Sequence, residues 1–95
     1  MIKGKTTSGF KFEVNDGIGN DFRVLEAIAD ADSEDESAKV RGTVELVRVL
    51  LGKDGKASLY RHLEKIHGSV PTDAVLSEVT EILKISREES KAVKN

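Results

Sequence analysis

The chain has 95 residues, a formal net charge of −2, 34% charged residues, no cysteine and only four aromatics, Phe10, Phe12, Phe22 and Tyr60. A chain of this length forms one domain that buries about 60–65% of its unfolded surface, too little for a deep catalytic cleft. The missing cysteines exclude a disulfide framework and a thiolate metal site, and the slightly acidic balance argues against a dedicated nucleic-acid binder. With so few aromatics the core must be built from Val, Leu, Ile and Ala, as in a helical bundle. Met1 to Lys5 has no apolar stretch behind its positive residues, so a signal peptide is not expected. No apolar run approaches the roughly 18 residues of a membrane span. A reducing cytoplasm suits such a composition.

Phe10, Phe12 and Val14 alternate with Lys11 and Glu13, the period of a strand with one buried face. Thr7-Ser8-Gly9 is a turn signal, and Ile2 to Thr6 supplies a partner strand. Residues 2–14 therefore read as a β-hairpin whose Phe10/Phe12/Val14 face packs on helices, since two strands alone are marginal in water. Asn15 to Asn20 is loop chemistry. A first helix is expected from about Asp21 to Ala31, capped by Asn20 or Asp21, with Phe22, Leu25, Ile28 and Ala29 on its inner face. Ser33 followed by Glu36 has the capping-box form, with Ser37 as a second candidate cap. The second helix then runs to about Leu51, with Val40, Val44, Val47 and Leu51 as its core stripe and Gly52 as its stop. The third is expected over about Gly55 to His67, capped by Asp54, with Leu59, Leu63 and Ile66 inward and Gly68 ending it. Pro71 suits the first turn of a fourth helix from about Thr72 to Ile85, with the stripe Val75, Val79 and Ile82. The expected fold is mainly α (α+β): an N-terminal β-hairpin and a bundle of about four helices in one domain over residues 1–85. Residues 86–95 read as a polar, mobile tail.

Several patterns that invite chemistry fail on inspection. Asp30, Asp32 and Glu34 fall on the first three ligand positions of a calcium loop. Asp35 and Arg41, however, stand where Gly and Glu are required. That acidic stretch instead places negative charge at the start of the second helix, where the macrodipole favours it. Gly17-Ile18-Gly19 lacks the third glycine and the βαβ setting of a dinucleotide site, and it lacks the Gly-Lys-Ser/Thr of a P-loop. His62 and His67 are five apart, which separates them on a helix; Glu64 and His67 are three apart with no third ligand in view. Both histidines read as surface or helix-terminal residues. No nucleophile–base pattern stands out among the serines and threonines, so the chain is not expected to be an enzyme, and no catalytic, cofactor or metal residues are assigned.

Charge is unevenly placed. Val24 to Ala38 carries Glu26, Asp30, Asp32, Glu34, Asp35 and Glu36 with no base, whereas Lys53 to His67 is basic through Lys53, Lys56, Arg61 and Lys65. The basic stretch reads as a solvated face, with pairing to the acidic stretch of another copy as the route to a homo-oligomer. Leu46, Val49 and Leu50 on the second helix and Leu76, Leu83 and Ile85 on the fourth exceed what one small core face takes up. They are the candidate partner-binding residues, in an exposed groove or self-association patch.

From about Lys5 to Ser86 the chain resembles the tail assembly chaperones of long-tailed bacteriophages and prophages. The resemblance lies in the order and spacing of Thr7-Ser8-Gly9-Phe10-Lys11-Phe12-Glu13-Val14, acidic Ala29-Asp30-Ala31-Asp32, and Val49-Leu50-Leu51-Gly52. It continues through Leu59-Tyr60-Arg61-His62-Leu63 and Gly68-Ser69-Val70-Pro71 to a last Val/Leu/Ile helix. It implies a protein of the host bacterial cytoplasm, absent from the mature virion. Such a protein binds the long, largely helical tape measure protein and keeps it soluble until the major tail protein polymerises around it. It also implies a longer form of the same protein made by ribosomal frameshifting, and it carries no catalytic motif. The competing reading is a small helical adaptor or regulatory module, viral or bacterial, that binds an unrelated protein by the same surface. No nucleic-acid or membrane partner is expected under either.

Overall fold

The alternation at the N-terminus produces the expected hairpin. In the computed structural model, which describes the backbone of residues 1–94 and the side chains of residues 1–89, β1 (Ile2–Lys5) pairs antiparallel with β2 (Lys11–Val14). The register sets Ile2 opposite Val14 and Gly4 opposite Phe12. The Thr6 amide donates to the Phe10 carbonyl at 2.9 Å, and the Gly9 amide donates to the Thr6 carbonyl at 2.9 Å, closing the turn. Ile2, Phe10, Phe12 and Val14 are all buried, so one face of the hairpin is core.

A 3-10 turn at Ile18–Asn20 leads into α1 (Phe22–Ala31). Asp21 caps it, accepting from the Arg23 amide at 2.9 Å and from the Arg23 guanidinium at 2.6 Å. The guanidinium and the amide together hold the Asp21 carboxyl down at about 2. A carboxylate whose pKa falls on folding adds stability above its unfolded value near 3.8 and loses it as pH falls towards 2. Asp21→Asn is therefore expected to lower stability slightly at neutral pH, with the difference from the unsubstituted chain shrinking as pH falls from about 4 towards 2, so that the acid limb of the stability-versus-pH curve flattens. Urea midpoints taken across that range check it.

The inner face of α1 is not the expected one. Val24 and Ala27 are buried, whereas Phe22 and Leu25 are 74% and 47% exposed. The cause is how closely α1 lies on the next helix. A Cβ at Gly42 would come within 2.3 Å of the Ala31 amide nitrogen, so small side chains must face the crossing and Phe22 is turned out.

α2 spans Glu36–His67. Its cap is Asp35, which accepts from the Ala38 amide at 3.1 Å, rather than Ser33 or Ser37; Ser33 accepts from the Asp35 amide instead. Gly42, Thr43, Leu46, Val47 and Leu50 are buried along its first arm, while Val40 and Val44 of the expected stripe are 48% and 38% exposed. The buried face is rotated towards Gly42, again because of the crossing. Thr43 tolerates burial because its hydroxyl donates to the Lys39 carbonyl at 2.8 Å.

Three α-helices form among the described residues, not about four. Gly52 is the one residue inside α2 with non-helical angles, φ 72° and ψ −178°. The chain bends there and resumes the helix at once, so the expected second and third helices are two arms of one element and Asp54 caps nothing. Along the second arm Leu59 and Leu63 are buried as expected, but Ile66 is 51% exposed. Left-handed Gly68 ends the element, its amide donating to the Glu64 carbonyl at 2.8 Å.

α3 runs from Thr72 to Lys94. Val75, Val79, Ile82 and Leu83 enter the core. The expected boundary after Ile85 does not break the helix. Ser86 is buried, with its hydroxyl donating to the Ile82 carbonyl at 2.7 Å. The side chains of residues 90–95, the rest of the expected tail, lie outside the described residues. No helix among the described residues is long and apolar enough to cross a membrane.

Candidate functional site

Two concave apolar surfaces flank α2. The larger, about 690 Å³, lies between the end of α1, the first arm of α2 and α3. Ile28, Leu46, Leu76, Val79 and Leu83 line it, and Asp32, Lys39, Lys84, Arg87 and Glu88 stand around its edge. Leu76 is half-buried, whereas Leu46 and Leu83 are 4% and 6% exposed and belong mainly to the core. Three of the six candidate partner-binding residues are thus brought to one groove. The other three are elsewhere. Leu50 is core, Val49 is packed half-buried against the core, and Ile85 is tucked under the hairpin beside Gly4. Their placement follows from the rotation of α2 and from the hairpin, which covers part of the surplus apolar surface.

The smaller surface, about 270 Å³, is formed where the two arms of α2 meet the start of α3, by Val40, Thr43, Val44, Tyr60, Val70, Thr72 and Val75. Sequence reasoning placed Val40 and Val44 inside and missed this surface. Thr43 between them was the available signal, because a helical face carrying a threonine that bonds its own backbone can turn inward in place of a valine stripe.

A polar cluster ties the hairpin turn to both C-terminal elements. Glu78, 5% exposed on α3, accepts from the Thr6 hydroxyl at 2.8 Å and the Ser8 hydroxyl at 3.0 Å. The Ser8 oxygen is also 3.0 Å from His62 Nε2, and the His62 ring lies 5.6 Å from the Phe10 ring. Glu81 accepts from the Thr7 amide at 2.7 Å. His62 is thus half-buried in a network rather than a surface group, while His67 stands exposed at the end of α2.

Ser, His and Glu in one cluster suggest a catalytic triad, but the connectivity differs. In a triad the acid orients the imidazole; here both Glu78 and His62 converge on the serine oxygen. The arrangement holds the turn in place. Glu78→Ala is expected to cost about 2 kcal/mol, because the buried Thr6 hydroxyl and the exposed Ser8 hydroxyl lose their shared acceptor. Glu78→Gln should recover part of it, and urea unfolding of both variants measures the difference.

Electrostatics elsewhere on the surface are local. Arg48 holds the Glu45 carboxyl below the usual carboxylate range through a side-chain hydrogen bond on the exposed side of α2. Among the described residues no three His, Asp or Glu side chains converge as a metal site. Compared with models of known protein families, with curated proteins and with solved structures, the chain matches none.

Proposed function

We propose that this chain is a tail assembly chaperone of a long-tailed bacteriophage, and that it keeps the tape measure protein soluble by seating that protein's amphipathic helical segments in the α1–α2–α3 groove. The observation that carries the reading is the groove itself, open, floored by Leu46, Leu76, Val79 and Leu83 and edged by charges of both signs. A floor of mainly aliphatic side chains, with the Thr80 hydroxyl beside them, accepts many apolar stripes, as a long client with repeated helical segments requires. Edge charges of both signs keep the free protein in solution. Each groove binds weakly, and many copies along one client supply avidity. On this reading the protein acts in the host bacterial cytoplasm and is displaced as the major tail protein assembles. A longer frameshifted form of the chain shares the same domain.

The test is co-expression of the chain, with its frameshift-extended form, alongside the tape measure protein encoded in the same phage genome. The tape measure protein is expected to move into the soluble fraction and to co-purify with several copies of the chain. If it precipitates to the same extent with and without the chain, the proposal fails and the helical adaptor becomes the better reading.

A further inference from the structure

We propose that Gly52 is the hinge of a domain exchange, through which two copies of this chain swap their C-terminal halves. Within Glu36–His67 only Gly52 departs from helical angles, so rotation at one residue would convert the bent element into a continuous helix. Nothing lies within 4 Å of a Cβ built at Gly52, so a methyl group added at the bend meets open space. The bend persists because the second arm and α3 pack back on the hairpin and the first arm. A hinge of one residue between two helices is the kind of connection at which exchange costs little, since each contact can be remade with another copy.

Length decides that the straight form cannot close on itself. Thirty-two helical residues span about 48 Å, whereas the longest dimension of the folded chain is 40 Å. With α2 straight, Leu59 and Leu63 are carried beyond reach of their own hairpin. The contacts that cross the elbow, Thr6 with Glu78, Ser8 with His62 and Phe10 with His62, then form only between chains. The large groove is divided in the same way. Leu46 comes from one copy, Leu76 and Leu83 from the other, so an exchanged pair presents two complete grooves on one rigid frame. This holds whatever client the groove takes.

The chain has no cysteine, so a Thr7→Cys/Glu81→Cys variant places two unique thiols at a contact that crosses the elbow. The experiment refolds this variant from denaturant at low and at high protein concentration and adds a short bis-maleimide. Chain size is read on a denaturing gel, and native mass by size exclusion with light scattering. Crosslinks within one chain are expected at low concentration, and crosslinks between chains, in a helical dimer of twice 10.4 kDa, at high concentration. Adding Gly52→Ala, which disfavours the positive φ, is expected to raise the dimer-to-monomer ratio at least tenfold. Intrachain crosslinks alone at every concentration, or a Gly52→Ala chain that folds as a monomer, would overturn the proposal. If Gly52→Ala does not fold, the crosslink pattern of the chain that keeps Gly52 decides.

Discussion

Gly42→Ala is expected to lower the stability of this protein by about 2 kcal/mol, although alanine is the better helix former. Gly42 sits in the first arm of α2 where α1 crosses it. An added Cβ would lie 2.3 Å from the Ala31 nitrogen and 2.6 Å from the Asp30 carbonyl carbon. Both neighbours are backbone, so no rotamer change relieves the clash and the helices must separate. Overpacking of this kind costs about 3 kcal/mol, against roughly 1 kcal/mol gained from helix propensity. In a domain of this size the net loss lowers the melting temperature by roughly 10 °C. The effect reaches the groove too, because Ile28 and Ala31 at the end of α1 form one of its walls. Thermal and urea unfolding measure the change. A gain of about 1 kcal/mol, the propensity term alone, would mean that the two helices do not cross here.

Leu76→Asp is expected to leave the fold intact and to abolish solubilisation of the tape measure protein. Leu76 is half-buried at the groove, so a carboxylate there stays hydrated while the apolar floor gains a charge. A client's apolar stripe must then desolvate that carboxylate, at a cost of about 2 kcal/mol or more for an interface anchor, roughly thirtyfold in affinity per contact. Avidity over several copies multiplies the loss. Leu83→Asp, on the same helix, is not an equivalent test. Leu83 is 6% exposed, and an unpaired carboxylate at that position would unfold the protein. Val40→Asp at the smaller surface is the matched control and should leave the client soluble. The measurement is the soluble tape measure fraction with each variant, read beside its circular dichroism.

Where the sequence pattern was strict, the fold was legible. Alternation at Phe10, Phe12 and Val14 placed the hairpin, and Val75, Val79 and Ile82 placed the face of α3. Gly52 and Gly68 marked where α2 bends and where it stops. The orientations of α1 and of the first arm of α2 were not legible, because both helices are apolar on more than one side. Phe22 and Leu25 compete with Val24 and Ala27, and Val40 and Val44 compete with Leu46 and Leu50. What decided between the faces was the close crossing at Gly42, a tertiary contact that periodicity within one helix does not encode. The bend at Gly52 was visible as a glycine, but whether a helix resumes at once or after a loop depends on what the second arm packs against. Of the candidate partner-binding residues, Leu50 lies in the core, Val49 packs half-buried against it and Ile85 sits beneath the hairpin beside Gly4. Leu46, Leu76 and Leu83 did fall together at one groove. Glu78 escaped notice because a single acid within an apolar helix face usually marks solvent, not a buried acceptor for two hydroxyls contributed from the hairpin turn.

The most direct measurement is a methyl and amide NMR titration of the isotopically labelled chain with synthetic peptides that tile the helical segments of the tape measure protein. Seating in the α1–α2–α3 groove should move the methyl resonances of Leu46, Leu76, Val79 and Leu83, with Val40, Val44 and Val70 nearly still. Shifts confined to Val40, Val44 and Val70, or no shifts with any peptide in the series, would contradict it.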